Sequence, residues 1–398
     1  MSNANPTYAM FSREEMDRRI VRARSLMAQS DLDALLITGE HNFHYFVGAA
    51  PSIGPNESLA RPSALVLPAV GDPIIVSQGR DNIEQGTYIT DIRDYFDVLR
   101  FPFHLVTEAL QDRGLSAGRI GVELGQEQRM GVPVGDFLSI ERSMPEARFV
   151  DAADVIIKTR MVKSEEEVSY MREAARITAR ARQRLNADYL RPGVTERQLA
   201  RQFRQLMLEE GADGTSFIHF QFDIQSEMPG AKHTFHYDRP LRRGVILGID
   251  SGARVGMYTV DYPRMVSLGP PTDRQKRLYD QLLEVNRRMT EALMPGVEAA
   301  DVHRAGVEAM RDLGVQTDNP ERLTGGSRMG HGQGIQFTEP PSVTPNDHTV
   351  LEVGTVISTE PGVGDGELHL LWEDTHVVTE TGSDLITMES DELKEVVF

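Results

Sequence analysis

The sequence predicts an α+β fold in two parts: a smaller α/β domain over residues 1–157 and a larger domain over 158–398. Three observations carry this expectation. The amino half alternates helix and strand patterns, and the carboxyl half sets its helices and strands in separate blocks. An apolar-to-charged junction lies near Val155-Ile156-Ile157-Lys158.

Taken in order, the first helix opens at Ser12, with Glu15 three residues later as a capping box. Met16, Ile20, Ala23 and Met27 then mark one face. Ala34-Leu35-Leu36-Ile37-Thr38 reads as a short buried strand. Ala64 to Leu67 and Ile74 to Val76, separated by Pro-Ala-Val-Gly-Asp-Pro, read as a strand pair, and Ile120 to Val122 as another strand. Beyond the junction, Ser164 and Glu167 open a long helix carrying Val168, Met171, Ala175 and Ala179 on one face. Thr195 and Gln198 open the next, with Leu199, Phe203 and Met207 apolar and Gly211 placed to close it. Thr272 and Gln275 open a third, with Leu278, Leu282, Val285 and Met289. Strand-like stretches fall at 245–250, 255–261, 355–360 and 371–379.

The 398 residues carry 42 basic and 60 acidic side chains, a formal charge of −18, with 40% hydrophobic and 26% charged residues. That is soluble globular composition. No run approaches the roughly 18 apolar residues of a membrane span. The start, Met1 to Pro6, has neither the basic flank nor the apolar stretch of a secretory signal, so a cytoplasmic location is expected. The acidic balance argues against nucleic acid or an anionic membrane as partner. There is no cysteine, which excludes disulfides, thiolate metal sites and thiol nucleophiles.

The chemistry-bearing residues lie in the carboxyl half. The apolar run Val245 to Ile249 ends in Asp250-Ser251-Gly252, and a second stretch from Val255 ends in Asp261, eleven positions on. A hairpin of that length can bring both carboxylates together. The alternative is that Asp250 is a turn residue and Asp261 pairs with Arg264. Gly330-His331-Gly332-Gln333-Gly334 sets one imidazole among three glycines, which allow close backbone approach and leave the ring accessible. Glu360 and Glu373 each close an apolar run. His233 precedes Asp250 by seventeen positions. Singly each pattern fits an ordinary surface residue or salt bridge. Jointly, four carboxylates and one imidazole are a ligand set whose charge balances two divalent cations. Oxygen donors with one nitrogen favour Mn, Fe, Co or Zn. Two such ions can hold a bridging hydroxide and clamp a developing oxyanion, as amide hydrolysis requires.

The order Asp250, Asp261, His331, Glu360, Glu373 resembles the creatinase, aminopeptidase P, prolidase and methionine aminopeptidase family. Its Gly-His-Gly-x-Gly loop, its Glu-Pro-Gly at 360–362 and its Glu-Asp at 373–374 are also present. The amino half, including Asn42 to Gly48, is similar to the smaller creatinase-type domain. The resemblance implies a pita-bread catalytic domain. Asp261 and Glu373 would bridge two metal ions, Asp250 would chelate one, and His331 and Glu360 the other. Glu360 would act as general base, and His233 would be catalytic, hydrogen-bonding the substrate carbonyl or the tetrahedral intermediate or shuttling a proton to the leaving nitrogen. It further implies a homodimer.

Two positions depart from the peptidase pattern. Thr338 stands where a second histidine is usual, seven after His331, and Leu371 where an arginine is usual, two before Glu373. Thr338 can still donate a hydrogen bond to substrate. The expected activity is metal-dependent cleavage of an X-Pro amide bond in a small peptide. The alternative is a hydrolase or lyase acting on a small solute resembling creatine, ectoine or dimethylsulfoniopropionate. A metal-free scaffold on the same fold is the third reading, and the five intact ligands argue against it.

Overall fold

The computed structural model describes residues 6–49, 61–223, 238–388 and 392–396. The chain divides into two compact units, 1–160 and 161–398.

The first unit is a six-stranded mixed sheet with helices. In chain order it contains α1 (Arg13–Gln29), β1 (Ala34–Ile37), α2 (Glu40–Val47), β2 (Ala64–Pro68), β3 (Ile74–Ser77) and α3 (Arg80–Ile83). These are followed by β4 (Asp91–Asp94), α4 (Phe103–Asp112), β5 (Arg119–Val122), α5 (Val134–Ser143), β6 (Arg148–Asp151) and α6 (Ala153–Met161). The strand order is β4-β3-β2-β1-β5-β6. β1 and β2 are buried at every position, which is why they read as continuous apolar runs. Ser12 caps α1 by accepting the Glu15 N–H. The Glu15 carboxylate turns instead to Arg18 and Arg19, so only that half of the expected capping box is seen.

The second unit begins with α7 (Glu165–Asp188) and α8 (Glu196–Glu209). Both open on complete capping boxes, Ser164 with Glu167 and Thr195 with Gln198, and Gly211 follows the end of α8 at φ +105°. Then come β7 (Gly214–Phe222), β8 (Ile246–Val255), β9 (Tyr258–Thr259), β10 (Arg264–Leu268), α9 (Asp273–Glu291) and α10 (Ala299–Leu313). After β11 (Gln316–Thr317) and α11 (Glu321–Thr324) the chain is mostly strand: β12 (His331–Gly332), β13 (Glu339–Ser342), β14 (Val356–Thr359), β15 (Gly362–Gly364), β16 (His369–Leu371), β17 (Asp374–Thr379), β18 (Gly382–Leu385) and β19 (Lys394–Val396). One sheet runs β19-β10-β8-β7 with β9 on β8, another β13-β12-β14-β17-β18, and a small one β11-β15-β16. The stretch expected as strand over 255–261 is a tight hairpin with a two-residue return strand.

The apolar face of α9 (Leu278, Leu282, Val285, Met289) packs with Val302, Ala309 and Met310 of α10 against Ile357, Trp372 and Val378. At about 1.5–3 kcal/mol per large apolar side chain buried, this face holds α9 against the strands that bear the site.

Candidate metal centre

Two strand returns bring the acids together. β8 runs down through Asp250 and the chain turns back at β9 to Asp261. Gly252 makes the close return possible, since a Cβ there would lie 1.6 Å from the Val260 carbonyl oxygen. In the other sheet His331 lies on β12, Glu360 directly after β14, and Glu373 directly before β17. Gly330, at φ +137°, lets the loop pass against β14, where a Cβ would sit 2.0 Å from the Ser358 carbonyl oxygen. The His331 N–H then donates to Ser358 Oγ at 3.1 Å, and the Glu360 N–H to the Met329 carbonyl at 2.8 Å.

Asp261, His331 and Glu373 offer donor atoms that all lie within 4.8 Å of one another. His331 Nε2 is 3.5 Å from Asp261 Oδ2 and 3.8 Å from Glu373 Oε1. Asp250 and Glu360 fall outside this three-residue group but lie close enough that their charges act on its acids. Burial, followed by the Asp261 charge, raises Asp250 well above the carboxylate range. Burial and the Glu373 charge do the same to Asp261, and burial and the Glu360 charge to Glu373. Glu360 is raised chiefly by burial, opposed by Arg322 and Arg328. The pairing of Asp261 with Arg264 does not occur. Arg264 bonds Asp374 Oδ1 at 2.7 Å and the Glu373 carbonyl at 2.6 Å. The accessible imidazole expected at 331 is corrected too. The ring is 2% exposed, because glycine-permitted backbone approach closes the loop over it.

The donor set fits divalent cations. His331 Nδ1 lies 2.9 Å from the Gly332 carbonyl. A carbonyl only accepts, so Nδ1 carries the proton and Nε2 turns its lone pair toward two carboxylates, an arrangement that calls for a cation between them. Burial and the nearby Arg328 charge push the ring down to about 3, which keeps that lone pair free at neutral pH. Asp250 Oδ1 and Asp261 Oδ1 are buried without a hydrogen-bond partner, a costly state unless an ion completes them.

A second layer of side chains holds these groups. Gln333 accepts the Asp261 N–H at 2.8 Å and donates to Glu373 Oε1 at 2.9 Å. Asn286 of α9 donates to Asp374 Oδ2 at 2.8 Å and accepts from Thr359 Oγ1 at 2.7 Å, tying together the neighbours of Glu373 and Glu360. Trp372 Nε1 also donates to Asp374 Oδ2. Buried Arg322 lies 3.2 Å from Asp318 Oδ1 and 3.5 Å from Glu360 Oε1. Behind the glycine loop, Lys163 pairs with Glu339 at 3.3 Å. Asn286, Arg322, Trp372 and Lys163 carry no pattern along the chain that marks them as site residues; only their contacts in the folded chain do. Thr338 is half-buried beside Phe337, whose ring centroid is 6.1 Å from that of His331. Leu371 lies on β16 opposite Gly362. His233 lies outside the described residues.

Residues 169–380 match metallopeptidase family M24, and residues 19–162 the creatinase/prolidase N-terminal domain. The chain is 30% identical over 384 residues to a probable dipeptidase, PepE, of Mycobacterium tuberculosis, covering 94% of each chain. It is 25% identical over 381 residues to an Xaa-Pro dipeptidase of Pyrococcus horikoshii, covering 95% of this chain and 99% of that one. Among solved structures, dipeptidase PepE from Mycobacterium ulcerans superposes with a TM-score of 0.79 at 28% identity, covering 98% of this chain and all of that one. No helix among the described residues is long and apolar enough to cross a membrane.

Proposed function

The chain belongs to metallopeptidase family M24, with a creatinase-type domain ahead of its pita-bread catalytic fold; on that premise we propose that it is a metal-dependent dipeptidase cleaving Xaa-Pro bonds. The observation that supports the reading is the buried group of Asp261, His331 and Glu373, together with the unpartnered carboxylate oxygens of Asp250 and Asp261. The dipeptidase names of the relatives support a peptide substrate over a compatible solute.

Asp250, Asp261, His331, Glu360 and Glu373 would hold two divalent ions drawn from Mn, Fe, Co or Zn. When bound, such ions polarise the scissile carbonyl and make water nucleophilic at neutral pH. His331 contributes a neutral ring, fixed by its Nδ1–H bond to the Gly332 carbonyl. Gln333 keeps Asp261 and Glu373 in register through its two hydrogen bonds. Glu360, steadied by Arg322, accepts the proton of the attacking water and returns it to the leaving proline nitrogen. By the family resemblance, Thr338 and His233 would be the residues that meet the substrate. The working form is a cytoplasmic homodimer.

Metal-loaded protein should hydrolyse Ala-Pro and Gly-Pro, releasing free proline. Failure to cleave any proline dipeptide with full metal content refutes the proposal.

A further inference from the structure

β7 and β8 pair antiparallel, with Ile218 opposite Ser251, His219 opposite Asp250 and Phe220 opposite Ile249. Directly opposed residues project from the same face of the sheet, with Cβ atoms about 4.5–5.5 Å apart. The face that presents Asp250 to the metal cluster therefore presents His219 as well. The two faces of β7 are not alike. Ile218, Phe220 and Phe222 are buried in the core, whereas His219 and Gln221 are half-buried and Phe217 is 38% exposed. Phe217, two residues before His219, reaches Phe337 in an edge-on contact at 4.4 Å, and Phe337 in turn lies against the His331 ring. Two independent contacts thus place one face of β7 along the metal centre: the register with Asp250, and the aromatic chain Phe217–Phe337–His331. On the loop side, the position beyond Phe337 offers the short hydroxyl of Thr338 and no imidazole.

We propose that His219 binds the substrate at this centre, supplying from β7 the imidazole that the loop lacks at Thr338, while the Phe217–Phe337 pair forms the apolar wall beside it. This rests on the dipeptidase reading and names a contact within that site. An imidazole on the Asp250 side can donate to the polar atoms of the peptide group held between the metal ligands. It does so without itself being a ligand, because the five ligands already balance the ions in charge.

The test uses the metal-loaded full chain with His219→Ala, His219→Asn and the double variant His219→Ala/Thr338→His. Cleavage of Ala-Pro by the unaltered enzyme tests the dipeptidase reading separately. Ala-Pro binding by calorimetry, together with metal titration and thermal unfolding, reads the role of His219 whether or not turnover occurs. His219→Ala is expected to keep metal affinity and melting temperature close to those of the unaltered protein, while kcat/KM and Ala-Pro affinity fall about 10–100-fold. His219→Asn, which keeps a donor, and the double variant each recover part of the loss. A metal affinity that falls in step with activity would make His219 a prop for Asp250 and overturn the proposal. Ala-Pro binding and turnover within twofold of the unaltered protein would also overturn it. If His219→Ala does not fold, His219→Asn carries the same comparison, and its indifference to Thr338→His counts against the assignment.

Discussion

Replacing Gly330 with alanine should dismantle the metal centre from one methyl group. A Cβ at that position would lie 2.0 Å from the Ser358 carbonyl oxygen, 2.9 Å from its carbon and 3.2 Å from Thr359 Cα. Carbon and carbonyl oxygen come no closer than about 3.3 Å, so the loop and β14 must separate by roughly 1.3 Å. All three obstructing atoms are backbone, so no rotamer change relieves the contact. The same two segments carry His331 and Glu360, and the His331 N–H bond to Ser358 Oγ spans the gap that must open. Displacements of about 1 Å at such sites cost on the order of 100-fold. Overpacking adds about 1–3 kcal/mol, and the positive φ of +137° adds comparable strain. The expected result is weaker metal binding by calorimetry, a stability loss of about 2–6 kcal/mol in urea, and turnover down by about 100-fold or more. Gly334→Ala is the control. There the nearest atoms are Lys163 Cε at 2.9 Å and Glu339 Oε1 at 3.1 Å, flexible side-chain ends that can shift, so the centre should survive. Metal binding and unfolding of Gly330→Ala equal to those of the unaltered protein would show that this close approach does not position His331.

Asn286→Ala should lower metal affinity about 10–100-fold without touching a ligand, by freeing Thr359 Oγ1 and one donor to Asp374; unchanged metal titration would dismiss the clamp. Arg322→Met leaves two half-buried carboxylates, Asp318 and Glu360, without their cation and should cost about 1–3 kcal/mol in urea unfolding. A cost under about 1 kcal/mol would show the pair to be dispensable. His303 is held below its usual 6.5 by burial, opposed by the bond of its Nε2 to the Arg322 carbonyl. A histidine depressed in the fold binds its proton more readily when unfolded. Stability should therefore be full above about pH 6.5 and decline as pH falls from there toward the folded value. His303→Gln should flatten that decline in urea midpoints measured from pH 7.5 to 5, and an unaltered slope would assign it to other groups.

Much of this was legible along the chain, because local rules act over three or four residues. Ser164 with Glu167, Thr195 with Gln198 and Thr272 with Gln275 start their helices as written. The apolar faces behind them, from Leu199 to Met207 and from Leu278 to Met289, are the ones buried. Of the five metal-binding candidates, the fold brings Asp261, His331 and Glu373 within 4.8 Å of one another; along the chain only their joint occurrence, not any one of them, pointed to an ion.

What only the tertiary structure decided is who stands behind and opposite them. Asn286 and Arg322 are polar residues of ordinary context, indistinguishable in sequence from surface side chains until the fold sets Asn286 between the neighbours of two ligands. His219 lies in the run Phe217-Ile218-His219-Phe220-Gln221-Phe222, and its relation to Asp250, 31 positions on, exists only through the cross-strand register. The accessible His331 expected from its glycines is buried for the same reason. Backbone freedom is a property of the residue, whereas what fills the space it opens depends on strands far away in the chain.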